Sequence, residues 1–466
     1  MTEVSMKEIW QRYYETVPAQ LQKVKSIQRV ATAFNTNIDA VVKISGEKLS
    51  ELVESVGLTL ENMHKGDNKI SDGKDVVRGV VKCFISGMGE EWLCNSVPAF
   101  DWLRDNIGYN RLQMGGQGGI VANAMAVLGV QNVYVHTASH PKLQAEQFLD
   151  FDNLLTTDDN GNLCKACEIN RRFDIPLIHW IIEFDGGDKL KIEDKEFICP
   201  KSNRFIATYD PDNMVLKKNE EFLQSLDRTG FDYMILSGYH NLVDSNSGVE
   251  RVKETIPLIQ KWKADNPHSF VHLELASTQD IKVRKAIIEY IAPLADSVGL
   301  NDKEAIDVLE AVDYELYEKM KNTSLNAPQL FEILLKIKEK CHTPRIQLHF
   351  LGMYLTLQDK GFRITPMQNK QGMMLAATVA ATKAGTGSIN DEKVLLWAHG
   401  REVADRGLAE LENLSLYLKC PELYEKGICN VAEYEVIAVP TILVEKPLTL
   451  VGMGDTISSV SLIGAL

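Results

Sequence analysis

At 466 residues the chain is long enough for one large core and a second, smaller body, because a single core stops growing at roughly 250–300 residues. Its 45% hydrophobic and 24% charged residues exclude a disordered chain. A formal net charge of −14, with no long Lys/Arg block, argues against nucleic acid or an anionic membrane as partner; any phosphate handled here must meet a few cations gathered at one site.

The N-terminal stretch Met1-Thr2-Glu3-Val4-Ser5-Met6-Lys7-Glu8 lacks the charged-then-apolar layout of a signal peptide, and no apolar run approaches the roughly 20 residues of a membrane span. A cytoplasmic location is expected. Strand-like stretches are predicted at residues 28–34, 132–136, 232–237, 270–276, 296–300, 345–350 and 434–440, with helical patterns at 119–128, 249–264, 303–320 and 328–340 between them. Such alternation predicts an α/β fold: a doubly wound, mainly parallel sheet with helices on both faces. Two regions break the rhythm. Apolar and polar residues alternate at 38–44 and again across 177–208, as in Ile178-His179-Trp180-Ile181-Ile182-Glu183-Phe184, which predicts an antiparallel sheet with one wet face. Together with a helix-like segment at 76–93 they read as a small, discontinuous, β-rich lid of residues 37–112 and 171–209; residues 1–36, 113–170 and 210–466 form the large nucleotide-binding domain. Eight cysteines are too sparse for a disulfide framework. Cys164 and Cys167 have the spacing of half a zinc site or a redox pair, but no second Cys-x-x-Cys accompanies them.

In open α/β sheets ligands sit at the carboxyl ends of strands, which directs attention to five polar segments. Asn35-Thr36-Asn37-Ile38-Asp39 follows an apolar strand; its amides and carboxylate suit the vicinal hydroxyls of a sugar, or else form an Asx-turn. Met114-Gly115-Gly116-Gln117-Gly118-Gly119-Ile120 lets a ligand approach the backbone, with Asn123 expected to face the same site, or is a bare flexible turn. It lacks the lysine and spacing of a P-loop. In His272-Leu273-Glu274 the period of two puts His272 and Glu274 on one face, as metal-linked groups or as a salt bridge. Asn301 and Glu304, three apart at the start of a helix, are either a capping box or oxygen ligands for hydrated Mg²⁺. Finally, Gly452-Met453-Gly454-Asp455-Thr456 reads as an anion-binding turn at a helix N-terminus, or as an ordinary cap. A carboxylate beside a bound phosphate is electrostatically wrong unless it takes the proton of an attacking hydroxyl.

The order of these segments, with His179 ahead of Ile181-Ile182-Glu183-Phe184 and with Asn203-Arg204-Phe205-Ile206, resembles the ADP-dependent glucokinase and phosphofructokinase family of the ribokinase-like superfamily, and most of all its archaeal bifunctional members. The resemblance spans essentially the whole chain. It implies that Asp455 is the catalytic base and that Gly452, Met453 and Gly454 make the anion hole. It further implies that Asn35, Asp39, Glu91, Gly115, Gly116, Gln117 and His179 hold the sugar, while Arg204 meets phosphate and His349, Val439 and Pro440 border the adenine. Glu274, Asn301, Glu304 and Asp455 would act on Mg²⁺ largely through water, with His272 beside Glu274. The implied reaction moves the β-phosphoryl group of ADP to fructose 6-phosphate or glucose and releases AMP, a step of glycolysis, in a monomer or small homo-oligomer. Glu91 matches an acidic lid position that reads a glucose hydroxyl, and Arg171, Arg172, Lys201 and Arg204 are the candidates for a sugar phosphate. No spacing argument separates an ADP from an ATP pocket, so an ATP-dependent ribokinase-type kinase and a silent binder on the same fold stand as alternatives.

Overall fold

The computed structural model describes residues 5–94 and 96–465; the first four residues of the stretch read above for a signal peptide lie outside them. An eleven-stranded sheet runs in the spatial order Ile428–Val431, Tyr434–Pro440, Met353–Asp359, Arg345–Phe350, Ser297–Asn301, Phe270–Glu274, Tyr233–Leu236, Arg29–Ala33, Asn132–Val135, Leu154–Thr157, Leu163–Lys165. Pairing is parallel from Arg345–Phe350 across to Leu154–Thr157 and antiparallel toward both edges. Phe270–Glu274 and Arg345–Phe350 are buried at every position, as strands covered on both faces should be. The mainly parallel α/β sheet is the one expected.

Chain order makes the site. From Arg29–Ala33 the sheet grows outward through Asn132–Val135 and Leu154–Thr157, then the chain returns to the opposite side of its first strand at Tyr233–Leu236. Where the order reverses, the crossing helices diverge and leave a crevice beyond the strand ends. Asn35 and His240 stand just past those two strands.

A second sheet of six strands has its own core. Its order is Lys69–Ile70, Glu90–Cys94, Asn203–Tyr209, Ile178–Phe184, Asn37–Lys43, Arg111–Gly115. Ile38, Ala40, Val42, Trp180, Ile182 and Phe205 point one way and pack against Val77, Val80, Val81 and Phe84 of helix Gly73–Ser86. Because successive side chains alternate faces, Asp39, His179, Arg204 and Glu91 are left to the other side. This sheet is mixed and not antiparallel throughout: Asn37–Lys43 runs parallel to Ile178–Phe184, and Asn203–Tyr209 parallel to Glu90–Cys94. Alternating hydropathy reports one covered face and is blind to strand direction. The boundary placed at residue 113 falls inside strand Arg111–Gly115, which pairs with Asn37–Lys43.

Three helical expectations are revised. The pattern at 76–93 is a helix only to Ser86, where Gly87 at φ 66° caps it, and Glu90–Cys94 is a strand. The pattern at 249–264 divides at Thr255, whose following helix carries a proline in its first turn, and that at 303–320 divides at Asp313, whose side chain caps Tyr314–Met320. Helix Pro366–Thr386 is not among the predicted elements: from Gly372 to Ala384 it is buried nearly all round and built of Met, Leu, Ala, Val and Thr with one lysine, so that stretch has no polar face to reveal a helical period. No helix of the described residues is long and apolar enough to cross a membrane.

Candidate functional site

A cavity of about 320 Å³ lies where the switch point faces the second sheet. One wall carries Asp39, Glu91, His179 and Arg204; the other carries Asn35, His240, Glu274, Asn301, Glu304 and the turn Gly452–Asp455, with Gly116 and Gln117 between them.

The wall formed by the second sheet is built from paired groups. Asn37 donates from Nδ2 to Asp39 Oδ1 at 3.2 Å. Burial dominates Asp39 and outweighs the pull of His179 and Asn37, raising its pKa to about 6. Burial would lower His179, but its 3.0 Å contact with the fully buried Asp210, aided by Glu91 and Asp39, prevails and holds it at about 8. Asp210 is fixed in turn by the Asn213 side chain (2.8 Å) and backbone N–H (3.1 Å). Thr208 donates to Glu91 Oε1 at 2.5 Å. The preceding residue, Glu90, alternates to the opposite side, where it takes Lys82 and the Trp92 indole N–H.

Two distant segments interlock at the bottom. Gly118 N–H donates to Asn35 O at 2.8 Å, and Asn37 pairs with Gly115. A Cβ on Gly115 would fall 2.3 Å from Asp39 Oδ1, so glycine is required there by close approach. The carbonyl oxygens of the Asn35 and Asn37 side chains and Nδ1 of His240 are buried with no protein partner. Such atoms are costly unless a polar ligand or water completes them, and a polyhydroxylated one would.

The opposite wall is an acidic cluster. Glu274 accepts from His272 Nε2 at 3.0 Å; His272 Nδ1 meets Ser297 Oγ at 3.0 Å, and Ser297 accepts from Arg345 at 2.7 Å. Burial, then the Arg345 charge, lowers His272 to about 3, so its ring is neutral. Burial, then the charges of Asp455 and Glu304, pushes Glu274 well above the usual carboxylate range. Burial raises Glu304 to about 8 against the opposing Asn301 N–H, with Asp455 adding to the rise, and Asp455 is itself raised by burial despite Gln117 and Lys383. Asn301 and Glu304 do form a capping box, with both hydrogen bonds at 2.8 Å, and both also line the cavity. Among the described residues, no three His, Cys, Asp or Glu side chains converge on a point that could hold a bare metal ion. Asp455 sits in the first turn of helix Met453–Ile463, after Gly452 at φ 60°. That left-handed turn points the helix N-terminus and its free N–H groups at the cavity.

The remaining candidates divide. His349 packs under the terminal turn, its Nε2 2.9 Å from where a Cβ on Gly454 would stand, and burial lowers it to about 4. With Val439 and Pro440, at the end of strand Tyr434–Pro440 on the far side of Met353–Asp359, it lies outside the cavity wall. Of the basic residues, Arg204 alone lines the cavity; Arg171 is buried on Asp174 (2.7 Å) and Thr137 O (2.7 Å), and Arg172 and Lys201 are exposed elsewhere. Asn123 turns away from the site to the loop at Gln147 and Leu149 (both 3.1 Å). Cys164 and Cys167 are free thiols. Sequence reasoning missed His240, Asp210 and Lys383. The first two follow strand ends and could have been found by the same rule that found Asn35; Lys383, inside an apolar helix, gives no such signal.

The description "ADP-specific Phosphofructokinase/Glucokinase conserved region" matches residues 28–464. The ADP-specific phosphofructokinase of Methanosarcina acetivorans is 26% identical over 483 residues, covering 99% of this chain and 98% of its own. The ADP-dependent glucose/glucosamine kinase of Pyrococcus furiosus is 30% identical over 468 residues, covering 98% of each. Among solved structures, an ADP-dependent kinase complex with fructose-6-phosphate and ADPβS superposes with a TM-score of 0.83 at 28% identity, covering 100% of this chain and 98% of that one.

Proposed function

The chain belongs to the ADP-specific phosphofructokinase/glucokinase family, and from that membership and the cavity we propose that it transfers the β-phosphoryl group of ADP to fructose 6-phosphate and to glucose, releasing AMP. The observation that carries the reading is the placement of Asp455: a carboxylate at a helix N-terminus, sharing one wall with Asn35 and facing Asp39 and His179 across one cavity.

Phosphoryl transfer asks a protein for alignment, positive charge near the transferring oxygens and a base. In this reading Asn35, Asp39, His179 and Gln117 orient the sugar, with Gly115 and Gly116 allowing its close approach. Asp455 takes the proton of the attacking hydroxyl. The N–H groups at Gly452, Met453 and Gly454 cradle the transferring phosphoryl group, and Arg204 meets phosphate from the lid side. His349, Val439 and Pro440 border the adenine. The clustered carboxylates repel one another and carry only oxygen donors, which suits hydrated Mg²⁺. Glu274, Asn301, Glu304 and Asp455 would hold it largely through water, and when bound it supplies charge on the transferring oxygens. Residues 37–112 and 171–209 act as a lid that closes over the sugar and keeps water from accepting the phosphoryl group.

The test is direct. Protein, Mg²⁺ and either sugar are incubated with ADP or with ATP, and the nucleotides are resolved. AMP and sugar phosphate are expected with ADP; product formed with ATP but not ADP would refute the donor assignment, and no turnover with any pair would favour a silent binder.

A further inference from the structure

We infer that Lys383 is a positioning residue for phosphoryl transfer: its ammonium clamps the peptide between Gly452 and Met453 so that the N–H of the terminal turn faces the transferring group. The inference rests on the reading of that turn as the anion hole.

Lys383 belongs to helix Pro366–Thr386 and reaches the turn from behind. Its Nζ donates to Gly452 O at 3.0 Å and to Thr456 Oγ1 at 3.3 Å, and Thr456 Oγ1 itself donates to Gly452 O at 2.7 Å. A single carbonyl therefore receives a cation and a hydroxyl. A peptide unit is planar and trans, with C=O and N–H on opposite edges, so a carbonyl pinned toward Lys383 drives the Met453 N–H the other way. Met453 lines the cavity on that other side. The hold matters because Gly452 is in the left-handed region, and a glycine there is free to swing its peptide unless something fixes it. A cation on the carbonyl oxygen also polarises the peptide and strengthens its N–H as a donor.

An ammonium so largely enclosed is expensive to keep, and burial lowers it to about 8 while Asp455 and Asp39 pull the other way. A neutral amide or hydroxyl could cap the same carbonyl at less cost. What a neutral group would not supply is positive charge behind a turn that must receive a phosphate, in a chain of net charge −14. Lys383 is not itself among the residues that line the sugar cavity and reaches it only through Gly452. It lines instead a separate cavity of about 320 Å³ on the far side of the turn, together with Arg111, Gln147, Asn390 and Thr456.

That second cavity supplies the test. In Lys383→Ala, the space left by the side chain joins it, so a small amine can enter from solvent. With ADP and either sugar, kcat is expected to fall about 100-fold in Lys383→Met and Lys383→Ala, as for a small misplacement of the reacting groups, while KM for both substrates stays within about threefold. Methylammonium should restore part of the kcat of Lys383→Ala, and Lys383→Arg should keep most of the wild-type rate. Tetramethylammonium, charged but without an N–H, should restore nothing. An active wild type whose Lys383→Met variant keeps kcat within about threefold overturns this inference alone, as does rescue by tetramethylammonium equal to that by methylammonium. A wild type inert with ADP and both sugars overturns the functional reading and this one together.

Discussion

The two walls of the cavity differ in how complete they are. On the lid side His179 has Asp210, Asp39 has Asn37 and Glu91 has Thr208. On the terminal-helix side burial raises Glu274, Glu304 and Asp455; Asp455 adds to the rise in the other two and Glu304 to that in Glu274, while Lys383 pulls Asp455 down from behind. A neutral polyol needs hydrogen bonds already aimed, and the first wall has them. A phosphate carrying its own counter-cation needs a place where positive charge is missing, and the second wall is such a place. In the proposed reading the protein is thus preorganised for the acceptor and leaves the donor side to be finished by what binds.

The largest effect that would separate the walls is at the base. Asp455→Asn is expected to lower the rate of AMP formation by about 10²–10⁴ while sugar affinity is retained, because only the donor wall has changed. Sugar affinity and rate lost in equal measure would show that the walls do not act separately. Next is Glu304→Gln. Glutamine serves a capping box as well as glutamate, so helix Asp302–Val312 should keep its stability while one carboxylate is removed from the cluster. The divalent-ion concentration giving half-maximal activity should rise about 10–100-fold. An unchanged requirement, measured by titrating Mg²⁺ into chelator-treated protein, would leave Glu304 as a cap and nothing more.

That double use of Glu304 explains what was legible beforehand. The Asn301–Glu304 spacing allowed a cap or a ligand, and the structure uses the same side chains to cap the helix and to line the cavity, so no sequence argument could have chosen. Glu274 was legible because period two set it beside His272 on a buried strand. The parallel order of the large sheet was legible because strand-like and helix-like stretches alternate along the chain, whereas strand direction in the second sheet was not. Arg171 and Arg204 look alike in sequence; one is consumed by Asp174 and a backbone carbonyl, and the other is left to the cavity. Lys383 was illegible because it meets Gly452 across 69 residues, from a helical stretch with no polar face.

A smaller effect belongs to the lid wall. His179 stands at about 8 in the folded protein against 6.5 ordinarily, so pairing with Asp210 stabilises the fold fully below about 6.5 and the contribution is lost as pH rises through 8. The shift corresponds to at most about 2 kcal/mol. The stability gap between wild type and His179→Gln, followed by denaturant unfolding, should therefore narrow from pH 6 to pH 9. A gap that is constant with pH would mean that the contact is an ordinary neutral hydrogen bond.

The smallest effect asks whether the lid wall reads one sugar against another. Glu91 is held by Thr208 with its carboxylate in the cavity, and its charge also helps to keep His179 protonated. Glu91→Ala therefore has two consequences. Lowering His179 should weaken every sugar alike, since His179 belongs to the shared part of the wall. Losing an acceptor for a ring hydroxyl should weaken glucose in addition, by roughly tenfold in kcat/KM for one hydrogen bond to a charged group. Fructose 6-phosphate brings its own negative charge toward the same wall, and removing a carboxylate relieves repulsion as it removes an acceptor, so its net loss should be smaller. Steady-state kinetics on both sugars separates these terms: a larger loss for glucose assigns Glu91 to sugar choice, and equal losses assign it to His179.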